Sequence, residues 1–196
     1  MIDFMGQIMK RFILIVFLMT GVVFSGEYQV DKDKNNVVKF ISDAPIENFE
    51  GVTDKIDGYI YWEDSVLTKN SEFYFEVDLN SLDTGIGLRN RHMRDNYLET
   101  DQFPLTHYKG KIISSTVLND TTISADAEGV IFIHGVEQPL SVKTNLFKQT
   151  NGYRIQTRFN VKLSDFKIEI PSIMFYKINE NMDLRCDFYV KEIKDQ

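Results

Sequence analysis

Three histidines, His92, His107 and His134, are the side chains of this 196-residue chain best suited to acid–base or metal chemistry. Zinc readily accepts imidazole ligands together with carboxylates. The three histidines lie on separate segments, however, and none belongs to a His-x-His or His-Glu-x-x-His arrangement. Because a cluster without motif spacing is only a weak indication of a site, we predict no metal ligands in this chain.

The sequence gives little support for nucleophilic catalysis. It contains no Gly-x-Ser-x-Gly turn, and its single cysteine, Cys186, has no disulfide partner. Cys186 alternates with Leu184, Phe188 and Val190, which predicts a small core side chain rather than a reactive thiol. Carboxylates are spread over the outward faces of the predicted strands, so no acid–base pair is indicated. We predict no catalytic residue and no enzyme activity. A small barrel hydrolase or isomerase that uses His92 at the barrel mouth remains the alternative.

A basic segment interrupts the strand-like pattern of the chain between Ser81 and Pro104. It opens with Ser-Leu-Asp-Thr-Gly, which has the chemistry of a turn. The stretch from Arg89 to Leu98 contains no Gly, Pro or β-branched residue and therefore predicts a short helix. Long ordered connections between strands are commonly functional. We interpret residues 88–98, called the lid below, as a helical lid over a β framework.

The rest of the chain is typical of antiparallel β-structure. Aromatic residues reach 13%, with 15 Phe and 9 Tyr, and such residues pack well on pleated surfaces. In the clearest strand Phe73, Phe75 and Val77 face one way. We predict an antiparallel barrel or sandwich of about eight strands, at residues 38–42, 59–62, 71–79, 108–114, 124–133, 139–147, 153–163 and 184–193. Residues 46–52 are expected to form a loop and residues 164–181 an irregular segment.

The N-terminus has the pattern of a secretory signal peptide. Lys10-Arg11 precedes an uncharged apolar run from Phe12 to Phe24. This run is shorter than the roughly 20 residues that a transmembrane helix needs. We expect residues 1–25 to be a signal peptide, with residues 1–8 ahead of a more conventional start, and residues 26–196 to form one domain that is periplasmic or secreted. A retained hydrophobic anchor is the alternative.

The net charge of the chain limits its partners. The formal charge is −7 at pH 7. Nucleic-acid binding depends on clustered Lys and Arg, so we predict no nucleic-acid partner. We also predict no stable membrane insertion once the apolar run has been removed.

Four short motifs, in the same order along the chain, resemble those of the YceI-like family. They are Gly58 before an aromatic strand (GYIYW), Ser81-Leu82-Asp83-Thr84 with Arg89-x-x-His92-Met93, Asp101-Gln102-Phe103-Pro104, and His134-Gly135-Val136 with Pro139. The resemblance covers roughly Val37 to Lys191. The chain departs from the family pattern at Glu137, where Thr is usual, and at Tyr97-Leu98, where an Asp-Phe-Phe element is common.

The resemblance implies an exported, lipocalin-like all-β barrel that binds an isoprenoid or another amphipathic lipid, with no cofactor besides such a ligand. An apolar chain buried in the barrel would gain roughly 0.8 kcal/mol per CH₂, and a polar head would be met near the lid. On this basis we predict ligand contacts from Tyr59, Trp62, Phe73, Phe75, Val77, Arg89, His92, Met93, Phe103, Tyr108, Phe159 and Phe175.

The sequence leaves open whether the barrel is hollow. A tunnel wall and a solid core are equally compatible with Phe73, Phe75, Tyr108 and Phe159. A filled barrel would act through a protein partner, whereas a shared apolar tunnel would be consistent with a homodimer. We expect His92 to form a hydrogen bond within the lid or to contact a ligand head group, and His134 to fix a turn.

Overall fold

The fold is an antiparallel β-barrel with one short helix at one end. The computed structural model describes residues 25–43, 48–63, 66–173 and 176–193. Within these residues the strands are β1 (Ser25–Val30), β2 (Val37–Ser42), β3 (Phe49–Thr53), β4 (Ile56–Glu63), β5 (Glu72–Asp78), β6 (Leu105–Asn119), β7 (Thr122–Ile133), β8 (Val136–Gln149), β9 (Gly152–Lys162), β10 (Ser172–Ile173), β11 (Tyr176–Lys177) and β12 (Asn181–Glu192). The helix α1 (Gly87–His92) continues into one π-helical turn, Met93–Tyr97. No helix in the described ranges is long and apolar enough to cross a membrane.

Eight antiparallel strands close the barrel in the order β1-β4-β5-β6-β7-β8-β9-β12, and β12 pairs back to β1. From β4 to β9 consecutive strands lie side by side, and β7, β8 and β9 are joined by tight two-residue turns. β12 pairs with β1 through residues 190–192 and with β2 through residues 182–187. β1 and β2 therefore follow one another along the same side of β12, and β3 continues beside β2. The predicted antiparallel barrel of about eight strands is confirmed.

Several segments differ from the prediction. Residues 49–53 form β3 rather than a loop, because Phe49 packs edge-on against Phe40 of β2 with ring centroids 6.0 Å apart. Residues 25–30 form β1, which the predicted strands omitted. The segment expected to be irregular contains the short hairpin β10–β11. Residues 1–24, which hold most of the predicted signal peptide, lie outside the described residues.

β4 and β5 approach each other closely at Gly58. This residue has φ +135°, and a Cβ atom there would lie 2.0 Å from the carbonyl oxygen of Tyr74. Any other residue would clash with the β5 backbone, so glycine at the start of the aromatic strand is a packing requirement.

An aromatic cluster closes the barrel at the end opposite the lid. The rings of Tyr28 and Trp62 stack with centroids 4.6 Å apart, and Tyr153 meets Trp62 edge-on at 5.7 Å. The Trp62 side chain is only 3% exposed. These three residues therefore act as a plug at this end of the barrel.

Candidate functional site

The barrel encloses a cavity of about 540 Å³ that extends from the middle of the strands to the lid. Its wall consists mainly of Val, Ile, Leu, Phe and Met side chains. The charged side chains among the described lining residues are Lys39 and Arg89, with no Asp or Glu. An apolar cavity with few polar groups is the usual form of a small-molecule site. The barrel is therefore hollow, which answers the question that the sequence left open.

Aromatic rings form much of the inner wall. The Phe75 ring lies edge-on to Phe188 with centroids 4.9 Å apart, and Phe73 lies 4.9 Å from Tyr108. The Tyr108 hydroxyl donates a hydrogen bond to the carbonyl oxygen of Leu140 at 2.9 Å. Burial raises the pKa of Tyr108 to about 12. Because its hydroxyl already has a partner in the wall, Tyr108 presents its ring rather than a polar group to the cavity.

Cys186 also lies in the cavity wall, between strands β9 and β2. It is a free thiol packed against the main core cluster. Burial raises the pKa of the thiol to about 12. The side chain therefore behaves as a neutral, apolar part of the wall at ordinary pH.

A hydrogen-bond network centred on Thr84 holds the first half of the lid. The backbone N–H and the hydroxyl of Thr84 both donate to Oδ1 of Asn90, at 2.8 and 2.6 Å. Nε of Arg89 donates to the Thr84 hydroxyl at 2.9 Å, and Nη2 donates to the Thr84 carbonyl oxygen at 2.7 Å. Nδ2 of Asn90 donates to the Asp83 carboxylate at 2.7 Å, and this bond lowers the pKa of Asp83. The helix is thereby fixed to the turn before it.

A second set of contacts holds the end of the lid segment. His134 and Gly135 have φ +50° and +76° and form the two-residue turn between β7 and β8. Nε2 of His134 lies 2.8 Å from the Glu99 carboxylate, and Nδ1 lies 3.1 Å from the Phe166 carbonyl oxygen. Phe103 packs on this turn, where a Cβ atom at Gly135 would lie 2.8 Å from its ring. His134 thus joins three segments at the lid end of the barrel.

Three of the four motifs noted in the sequence therefore meet around the lid. The Ser81–Thr84 turn and Arg89 hold its beginning, whereas residues 101–104 and the His134-Gly135 turn hold its end. Most of these residues support the lid rather than face the cavity.

The mouth of the cavity lies beside the lid. Ile86 and Leu88 line the cavity, yet they are 48% and 61% exposed, so the interior meets solvent here. His92 is also exposed and lines the mouth together with Met93. The Arg89 guanidinium lies 4.6 Å from the centroid of the Phe49 ring, in cation–π geometry.

The structure brings most of the predicted ligand residues to the cavity wall. These residues are Phe73, Phe75, Val77, Arg89, His92, Met93, Tyr108 and Phe159. Their contact with a ligand stays a prediction. Phe175 lies outside the described residues.

The structure places Tyr59, Trp62 and Phe103 away from the cavity wall. Tyr59 is on the outer face of β4, where its hydroxyl donates to the Glu72 carboxylate at 3.3 Å. Trp62 faces inward but belongs to the plug at the closed end. Phe103 packs beneath the β7–β8 turn. The sequence prediction took the aromatic residues of a strand together. It therefore did not separate the inward face of the strand from the outward face, or the closed end of the barrel from the open end.

Sequence reasoning missed part of the mouth. Phe40 and Phe49 line the cavity from β2 and β3, and Ile86 and Leu88 line it from the start of the lid segment. Phe49 was missed because residues 46–52 were expected to form a loop. The alternation of Phe49, Gly51 and Thr53 was the available signal, although glycine on the inward face weakened it.

His92, on which the predicted enzyme alternative rests, is exposed at the mouth. Among the described residues, no hydrogen bond or ion pair joins His92 to a carboxylate, and no group of three or more His, Cys, Asp or Glu residues is arranged to hold a metal ion. The enzyme alternative built on His92 stays a prediction.

Comparison with known proteins identifies the family. A model of the YceI-like domain matches residues 28–190. The chain belongs to the YceI-like domain family. A UPF0312 protein of Pseudomonas putida strain W619 is 24% identical over 190 residues, which cover 91% of this chain and 92% of the relative.

Solved structures of YceI-like proteins share the barrel. Burkholderia cenocepacia BcnA superposes with a TM-score of 0.68 at 14% identity, covering 82% of this chain and 98% of BcnA. A polyisoprenoid binding domain from Saccharophagus degradans, implicated in plant cell wall breakdown, gives a TM-score of 0.66 at 16% identity, covering 85% of this chain and 98% of that domain. At these identities the comparison establishes the YceI-like fold.

Proposed function

We propose that this YceI-like protein is an exported binding protein that holds an isoprenoid-like or other amphipathic lipid inside its barrel. The observation that carries the proposal is the hollow apolar interior of about 540 Å³, closed at one end by Trp62 and open beside the lid. A wall with so few polar groups suits a hydrocarbon chain. The similarity to a polyisoprenoid binding domain supports the same ligand class.

Burial of the hydrocarbon chain supplies the affinity. Each CH₂ moved from water into the cavity contributes roughly 0.8 kcal/mol, which is about a fourfold change in Kd. The affinity should therefore rise with chain length until the cavity is full. The protein carries the lipid without chemistry of its own.

The head group of the lipid would lie at the mouth. Arg89 and His92 lie there, and Lys39 lines the same region while paired with Glu50 at 2.8 Å. The described cavity lining contains no acidic residue. These basic groups therefore favour a head group that is polar or anionic.

Lipid content after purification tests the proposal. The protein should be purified from its own host, analysed by native mass spectrometry and then extracted with organic solvent. We expect a bound lipid of defined mass that is lost on denaturation. An apo mass that persists after incubation with isoprenoids and fatty acids would refute the carrier function.

A variant that fills the cavity provides a matched control. Val142 lines the cavity, whereas the neighbouring Ser141 on β8 is exposed on the outer face. Val142→Phe should displace the bound lipid, and Ser141→Phe should retain it. Equal lipid content in the two variants would show that the lipid binds outside the cavity.

Export is tested separately. The Lys10-Arg11 pair and the apolar run that follows support a signal peptide and a periplasmic or secreted location. Fractionation of the host followed by N-terminal sequencing should find the protein outside the cytoplasm with a start near residue 26. A cytoplasmic protein that retains the apolar run would contradict this.

A further inference from the structure

The surface around the cavity mouth combines exposed apolar side chains with positive charge. Ile86 and Leu88 remain 48% and 61% exposed. Arg91 lies three residues after Leu88, on the same side of helix α1. Arg94 lies in the π-helical turn that follows the helix. We call Ile86, Leu88, Arg91 and Arg94 the portal face.

The charge of the portal face contrasts with that of the whole chain. Residues 83–95 hold three Arg and one His against two Asp, so this segment is net positive although the chain has a net charge of −7. Arg91 is exposed and has no ion-pair partner among the described residues. Arg94 has a weak hydrogen bond to the Asn80 carbonyl oxygen, at 3.3 Å. Arg94 is half-buried, and its charge helps to lower the pKa of the Asp83 carboxyl. The guanidinium of Arg91 is therefore the positive group most available to an outside partner.

A second exposed apolar site lies elsewhere on the barrel, without neighbouring positive charge. Val117 and Leu118, at the tip of the β6–β7 hairpin, are 72% and 58% exposed. Residues 112–123 around them contain Asp120 and no basic residue. They lie at the far end of β6, roughly 40 Å of strand away from the lid. Exposed apolar side chains alone thus do not distinguish the portal face. Their combination with arginine and with an open cavity does.

We propose that the portal face docks on the surface of an anionic lipid bilayer. A bilayer offers negative head groups to Arg91 and Arg94 and a hydrocarbon boundary to Ile86 and Leu88. Docking in this orientation places the cavity mouth against the bilayer. A lipid then passes between membrane and barrel without exposing its chain to water. The docking is peripheral and reversible, and it rests on the proposed lipid-carrier function.

Vesicle binding tests this surface. Wild type and variants with the same N-terminus should be mixed with vesicles of phosphatidylcholine, with or without phosphatidylglycerol, and separated by flotation. Wild type should bind the phosphatidylglycerol vesicles preferentially and dissociate at about 1 M salt, where charge interactions are screened within about 3 Å. Arg91→Gln with Arg94→Gln should weaken binding about 30-fold, as expected for the loss of two basic groups near an anionic surface.

Apolar variants complete the test. Leu88→Ser should weaken vesicle binding, whereas Leu118→Ser, at the far end of the barrel, should leave it unchanged. The proposal is overturned if wild type binds both vesicle types equally, or if the double arginine variant binds like wild type. It is also overturned if soluble polyglutamate binds as tightly as the vesicles, because the portal face would then fit an acidic protein.

Lipid content measured on the same samples separates the two proposals. Arg91 and Arg94 do not line the cavity, so the double variant should retain its copurified lipid. Vesicle binding by a protein without bound lipid would refute the carrier function and support docking. Bound lipid without vesicle binding would support the carrier function and refute docking on the bilayer.

Discussion

The single cysteine allows a direct test of the cavity. Cys186 lies in the apolar wall, and burial raises the pKa of its thiol from 9.0 to about 12. The thiolate is the reactive form of cysteine. At pH 8 the folded protein should therefore react about 1,000-fold more slowly than the unfolded chain, since each pKa unit changes the thiolate fraction about tenfold.

The assay needs no mutation. A small neutral reagent such as N-ethylmaleimide is added at several pH values, and one adduct per chain is followed by intact mass. The unfolded chain in guanidinium serves as the control. Its rate should level off above pH 9, whereas the rate of the folded protein should keep rising. Added lipid should slow the folded-state reaction further, because the ligand would cover the wall.

A folded-state rate within tenfold of the unfolded rate at pH 8 would refute the assignment of Cys186 to a closed apolar wall. The same pKa shift also affects stability. Because the folded pKa lies above the unfolded value, the contribution of Cys186 to the free energy of unfolding is complete below pH 9 and is lost as the pH rises toward 12.

Three further predictions follow from the wall and the lid. Phe75→Ala removes two ring contacts worth about 0.5–1.5 kcal/mol each, so it should lower the free energy of unfolding by about 1–3 kcal/mol in a denaturant titration. Phe73→Ala, whose ring is 4% exposed, should lower it by about 3–5 kcal/mol. Tyr108 has a pKa raised to about 12 from an unfolded value of 10.0, so its contribution to stability is present below pH 10 and lost above it. Tyr108→Phe should therefore lose less stability than wild type between pH 8 and 11. Asn90→Ala breaks the network that holds the lid, and it should speed amide exchange in residues 84–94 with a loss of about 1–3 kcal/mol.

For each of these predictions, one result would contradict the reasoning. A larger loss for Phe75→Ala than for Phe73→Ala would mean that Phe75 is packed in a solid core. Identical pH profiles for wild type and Tyr108→Phe would show that this tyrosine does not control alkaline stability. Unchanged exchange in the lid of Asn90→Ala would show that its hydrogen bonds are dispensable.

The amino-acid sequence determined the local features of this protein. Alternation placed Phe73, Phe75 and Val77 on one face of β5, and the absence of Gly, Pro and β-branched residues located the helix near Arg89 to Leu98. The order of four motifs indicated the YceI-like family, which the family comparison established. These features depend on neighbouring residues, so a linear pattern records them.

Only the tertiary structure decided which inward residues reach the cavity. Trp62 and Phe75 both face inward, yet one fills the closed end and the other lines the hollow middle. His134 showed no sequence link to Glu99, although the fold brings their side chains within 2.8 Å. Such facts depend on barrel closure between β1 and β12, about 160 residues apart in the chain, and on the volume left between side chains of different strands. Alternation within one strand carries no information about either.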